Sequence, residues 1–198
     1  MKSVSYYFIE QRDRYLGVLA RRLPSWITPN GLTVFRFLLL APMFLAYKSD
    51  MPLLVVLLFL LAFFLDLVDG TLARLRQVTS NFGGALDSLA DKILFLITFW
   101  WLGGAYLPLW LIQGLLIVEL WMIGVVLVWK PIFDRLRVKF HVQANIYGKT
   151  KTLLQILGVV CLAVPAPLSL TVAIVLFSLA VAAGTMSVIK YVLQVRAV

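Results

Sequence analysis

A chain of 198 residues is one domain's worth of sequence, and 62% hydrophobic against 14% charged residues exceeds the apolar share of a soluble globule. Together with a mean hydropathy of +0.97, this marks an integral membrane protein. The net charge of +9 does not make it a nucleic-acid binder, because most of the 18 lysines and arginines fall in residues 1–30, 74–76, 130–151 and the tail from Lys190. That distribution is a topology signal, with some attraction to anionic lipid.

Taken in chain order, residues 3–22 come first. Arg12, Asp13 and Arg14 interrupt any signal-peptide core, and no small-residue cleavage site follows. Tyr7, Phe8, Tyr15, Leu16, Leu19 and Ala20 recur near helical spacing, which predicts an amphipathic helix lying in the cytoplasmic interface. The stretch LPSWITPN then turns the chain, with Thr28 or Asn30 as cap. Six apolar spans are expected at 31–47, 52–75, 86–104, 108–129, 149–165 and 167–191, since crossing the hydrocarbon takes about 20 residues. Ser49-Asp50, Asn81 with Gly83-Gly84, Gly103-Gly104, Lys130-Pro131 and Pro165-Ala166-Pro167 punctuate them. No alternating barrel pattern is present, so the spans must be helices.

The expected fold is therefore all-α integral membrane: an interfacial segment over 1–30, then a six-helix bundle over 31–191, in a single domain 1–198. Six spans put the four basic segments on one side, which predicts cytoplasmic N- and C-termini in a cell (inner) membrane. The basic loop 130–148 is the longest connection. Cys161 has no second cysteine and reads as packing; His141 has no partner at ligand spacing, which argues against zinc.

The unbroken apolar run Met51–Leu65 ends on Asp66 and Asp69, and Asp87 and Asp91 open the next span. On helices, pairs three and four apart share a face. A short loop makes the two spans antiparallel neighbours, so the four carboxylates converge near their cytoplasmic ends. Bare carboxylates there repel one another and are costly to desolvate. They are either partly protonated, or neutralised at solvated helix ends by Arg74, Arg76 and Lys92, or they hold divalent cations. An all-oxygen donor set suits Mg2+ or Mn2+, and paired carboxylates from two helices can hold two ions for displacement at phosphorus. Gly70 and Gly83 allow close approach to backbone, Ala73 keeps the same helix face low, and Arg74 is a fork-shaped cation suited to phosphate.

The pattern Asp66-x2-Asp69-Gly70-x2-Ala73-Arg74-x8-Gly83-x3-Asp87-x3-Asp91 resembles the full signature of the CDP-alcohol phosphotransferase family, also called CDP-alcohol phosphatidyltransferases. The resemblance implies a membrane enzyme, usually a homodimer, that moves a substituted phosphate from a CDP-linked donor to an alcohol and releases CMP. It implies that Asp66, Asp69, Asp87 and Asp91 surround two divalent ions, that Asp91 is the general base, and that Asp66, Asp69, Gly70, Ala73, Arg74 and Gly83 form the cytidine diphosphate pocket.

For the acceptor, Gly148-Lys149-Thr150-Lys151-Thr152 resembles the Gly-Lys-x-Lys-Thr of bacterial phosphatidylglycerophosphate synthases, and Asn30, Thr33, Arg36 and Pro42 resemble their first span. Arg36, Glu119, Lys149 and Lys151 are accordingly expected to bind a small anionic alcohol, although ordinary positive-inside charge also accounts for the lysines. The sequence departs from those synthases at Val118-Glu119, where they carry Arg-Glu, and at Ser88, where proline is common. Arg135, Arg137 or Lys139 of the long loop are candidates to replace the missing cation. The reading is transfer of a phosphatidyl group from CDP-diacylglycerol to glycerol 3-phosphate. Alternatives are another acceptor, phosphatidylglycerol (giving cardiolipin) or an inositol phosphate, and, more remotely, a cation- or proton-coupled transporter.

Overall fold

The computed structural model describes residues 16–18, 20–78, 81–129, 132, 135, 146–164 and 166–193. Most of the expected interfacial helix and of the basic loop, with Arg137, Lys139 and His141, lies outside the described residues. Among those described the chain is helical without strands: α1 Pro29–Leu38, α2 Leu40–Lys48, α3 Pro52–Leu75, α4 Asn81–Gly103, α5 Leu109–Gly124, α6 Ile146–Leu162 and α7 Pro167–Leu193, with a π-helical turn Val125–Trp129 extending α5.

Among the described residues, four stretches are long and apolar enough to cross a membrane: Pro29–Lys48, Pro52–Leu75, Leu109–Trp129 and Pro167–Leu193. The other two expected spans are helical too, but fall short for physical reasons. Helix α4 carries Asp87, Asp91 and Lys92 along its length, and α6 has only 17 residues.

Local chemistry sets the helix ends. Thr28, not Asn30, caps α1: its hydroxyl accepts from the Gly31 amide at 3.1 Å. Leu39 separates α1 from α2. Pro42 has no N–H for the Leu38 carbonyl four residues back, and this is where the helix breaks. Helices α2 and α3 both close through a left-handed residue that is not glycine, Asp50 (φ 53°) and Gln77 (φ 55°). The amides of Met51 and Val78 reach back to the carbonyls of Ala46 and Ala73 at 2.9 and 3.1 Å, satisfying groups the helix leaves open.

The chain divides into two compact units, residues 1–95 and 96–198. In the first, α3 buries Val55, Val56, Phe59, Ala62, Val68, Asp69 and Leu72 as one helical stripe, while Leu53, Leu54, Leu57, Leu61 and Phe64 are exposed. The outward leucines suit lipid, and the polar residues turn inward: on α1 the buried residues are Thr33 and Arg36. In the second unit, α7 buries Ala173, Phe177, Ala180, Gly184, Ser187 and Tyr191, a mostly small-residue stripe that permits close helix approach. The Phe177 ring meets Phe99 edge-on at 5.1 Å and lies so close to Gly158 that a Cβ there would come within 2.7 Å of ring carbons. Gly158→Ala is therefore expected to destabilise the unit by about 1–3 kcal/mol, read as a lower melting temperature in detergent. An unchanged melting temperature would mean that the ring yields freely.

Candidate metal and phosphate site

The carboxylates of the first unit come from the C-terminal half of α3 and the N-terminal half of α4. Arg76, just past α3, fixes the chain that leads into α1. Its guanidinium donates to the carbonyls of Leu23, Pro24, Ser25 and Ile27 at 3.1, 3.0, 3.3 and 2.5 Å. From the sequence it read as topological charge.

Helix α1 then delivers Thr33 and Arg36, three apart and on one face. The Arg36 guanidinium is fully buried. Its Nη1 donates to Asp66 at 3.0 Å, Asp69 at 3.3 Å and Asp87 at 2.6 Å, and its Nη2 pairs with Asp91. Thr33 adds a hydroxyl bond to Asp69 at 3.2 Å. Carboxylate oxygens of Asp66, Asp69 and Asp87 lie within 4.8 Å of one another, a spacing able to hold a metal ion. Asp91 stands apart from that trio and meets the guanidinium through its other nitrogen. Exposure rises across the set, from 4% at the Asp69 side chain through 17% at Asp66 and 35% at Asp87 to 40% at Asp91.

The four aspartates thus converge, but the cation among them is Arg36, which the resemblance to the synthases places with the acceptor. Lys92 instead reaches the Ser88 carbonyl at 3.5 Å. One guanidinium against four carboxylates leaves the cluster with surplus negative charge, so the donor set fits a hard divalent cation.

The phosphate-suited residues border this cluster. Arg74 is exposed, donates to the Thr71 hydroxyl at 3.3 Å, and folds back beside Gly70, where a Cβ would lie 3.6 Å from its Nη1. Gly83 is half-buried in the first turn of α4, and a side chain on Gly84 would meet only open space. Ser88 bonds to the Gly84 carbonyl at 2.9 Å within its own helix.

The second unit holds a separate buried polar group. Glu119 of α5 pairs with Lys151 of α6 and accepts from the Gln155 amide at 2.7 Å; all three are buried. Lys149 is exposed. Residues two apart do not share a helix face, so the two lysines expected to act together divide, one outward and one into the helix packing. Val118, where related synthases carry arginine, is buried against Gly184, which has no side chain to contest the space. Sequence reasoning missed Gln155. Its signal was available: a polar residue four past Lys151, on the same face of an apolar helix.

The family model for CDP-alcohol phosphatidyltransferase matches residues 26–188. The chain belongs to the CDP-alcohol phosphatidyltransferase family. Membership takes the aspartate pattern out of the transporter reading. Among similar proteins, a CDP-diacylglycerol--glycerol-3-phosphate 3-phosphatidyltransferase from Sodalis glossinidius is 39% identical over 72 residues, 36% of this chain and 38% of the relative. Another of that name, from Cereibacter sphaeroides, is 42% identical over 77 residues, 37% of this chain and 35% of the relative. An archaetidylinositol phosphate synthase from Pyrococcus horikoshii is 37% identical over 67 residues, 34% of this chain and 36% of the relative. The matched segment spans little more than a third of each of these relatives.

Proposed function

We propose that this protein is a phospholipid biosynthetic enzyme that transfers a phosphatidyl group from CDP-diacylglycerol to the hydroxyl of glycerol 3-phosphate, releasing CMP. The observation that carries the reading is the convergence of Asp66, Asp69, Asp87 and Asp91 from two helices, in a chain of this family. The names of its bacterial relatives support the choice of donor and acceptor.

Asp66, Asp69, Asp87 and Asp91 would hold two divalent ions, Mg2+ or Mn2+. Such ions, when bound, neutralise a diphosphate and stabilise the leaving phosphate. The chain's own residues do the rest. Gly70, Ala73 and Gly83 present a low surface to the cytidine diphosphate, and Arg74 offers its fork to a phosphate oxygen. Asp91, the most exposed carboxylate of the set, takes the proton from the acceptor hydroxyl. Lys149, exposed at the start of α6, meets the anionic group of the acceptor. We further propose six membrane spans, both termini on the cytoplasmic side of the inner membrane, and a homodimer. The clustering of lysine and arginine in residues 1–30, 74–76, 130–151 and the tail supports that orientation.

An inositol phosphate is the second acceptor reading, favoured by the archaetidylinositol phosphate synthase among the relatives. Purified protein given CDP-diacylglycerol, Mg2+ or Mn2+ and a panel of alcohols distinguishes the two. Lipid product is expected with glycerol 3-phosphate and not with inositol phosphate or phosphatidylglycerol. Product with inositol phosphate alone would reassign the acceptor. Lys149→Ala is expected to raise the requirement for acceptor more than that for donor; an unchanged acceptor dependence would return Lys149 to topology.

A further inference from the structure

The position of Arg36 raises a problem of occupancy. Its Nη1 lies 2.6–3.3 Å from oxygens of Asp66, Asp69 and Asp87, the trio whose spacing suits a metal ion. A magnesium ion takes its oxygens at about 2.0–2.1 Å, closer than a guanidinium nitrogen does. Because Nη1 touches one oxygen of each carboxylate, an ion bridging those three oxygens would stand in the space that Nη1 occupies. Nor is Arg36 fully satisfied where it sits. Its Nε is, among the described residues, the buried side-chain polar atom with no hydrogen-bond partner, which weakens its hold on a buried position.

We propose that Arg36 and a divalent cation are alternative occupants of the Asp66–Asp69–Asp87 carboxylates, so that Arg36 is an intramolecular counter-ion that metal must displace. Arg36 holds like-charged side chains of α3 and α4 together while it pairs with them. It also sets the metal concentration at which the site loads, since every bound ion competes with a tethered cation. Displacement frees a guanidinium with five donors beside carboxylates that have just gained positive charge, a setting suited to an anionic phosphate. Arg36 is a positioning and gating residue in this account. The inference rests on the metal reading proposed above.

The test is Mn2+ binding by the full chain in detergent, read from the loss of the free-ion paramagnetic resonance signal with no substrate present. Arg36→Gln, which removes the competing charge, is expected to bind Mn2+ at least about tenfold more tightly than the wild type, within the usual range of coupling between two ligands. Arg36→Lys, whose single ammonium cannot span four carboxylates, should fall between them. In EDTA, Arg36→Gln should melt below the wild type, and Mn2+ should raise its melting temperature by more. Recovery of folded Arg36→Gln only from Mn2+-containing buffer supports the proposal equally. Equal or weaker Mn2+ affinity in both variants, with the wild type binding, would overturn it and leave Arg36 a structural strut. No Mn2+ bound by the wild type or either variant would overturn the metal reading, and this inference with it.

Discussion

Asp91→Asn is expected to lower CMP release by at least about 100-fold, the lower bound for losing a general base, while CDP-diacylglycerol still binds. The amide keeps the shape of the carboxylate but cannot take a proton from the acceptor hydroxyl. Asp91 is also proposed to help hold the ions, but the trio that remains keeps a spacing able to hold one for the donor, so the two effects are separable. Asp91 lies outside the trio of carboxylates whose oxygens fall within 4.8 Å of one another, and it contacts a different nitrogen of Arg36. Its loss leaves the Asp66, Asp69 and Asp87 carboxylates, and their contacts with Arg36 in the metal-free protein, in place. Its 40% exposure is also what a group meeting a second substrate requires. Single-turnover CMP formation and equilibrium binding of CDP-diacylglycerol, measured on the same preparation, check both halves. Activity retained in the variant would remove Asp91 as the base; lost binding would place it with the donor pocket instead.

Lys151→Met should cost about 3–5 kcal/mol of stability, because it strands the buried carboxylate of Glu119 without its counter-charge. Glu119 is 1% exposed, and the Gln155 amide at 2.7 Å supplies a hydrogen bond but no charge. Adding Glu119→Gln to Lys151→Met should recover most of the loss, since a fully neutral group of similar shape leaves no uncompensated ion. The non-additivity of the two substitutions, read from melting or denaturant curves in detergent, reports the pairing itself. If Lys151→Met were as stable as the wild type but bound acceptor poorly, the ammonium would belong to the substrate and not to Glu119.

The elements legible in the sequence were those written as pattern. Among the described residues, apolar runs and their punctuation located the long helices, though not the break at Leu39 within the first of them, since hydrocarbon length and backbone satisfaction leave little choice. Spacing of three and four between aspartates gave the shared faces, and the structure brings the four together. What spacing could not give was the partner. Arg36 is thirty residues or more from each aspartate it meets; the cost of an arginine inside a membrane helix turns it inward but does not name the carboxylates it meets. The same limit hid the division between Lys149 and Lys151, because two charges flanking a helix look alike until the neighbouring helix supplies Glu119 to one of them. Arg76 was misjudged for another reason: its four acceptors are backbone carbonyls, which carry no sequence signature. Three charges lower the apolarity of α4, and two of them, Asp87 and Asp91, belong to the carboxylate cluster around Arg36.

The central claim is that the aspartate cluster is a metal-dependent phosphotransfer site. Its most direct test is CMP formation by the purified wild type from CDP-diacylglycerol and glycerol 3-phosphate, with Mg2+ or Mn2+ against EDTA. CMP and a phosphatidyl product in equal amounts, both lost in EDTA and restored by the ion, are the expected result. Folded protein that releases no CMP with any acceptor, or releases it as readily in EDTA, would contradict the claim.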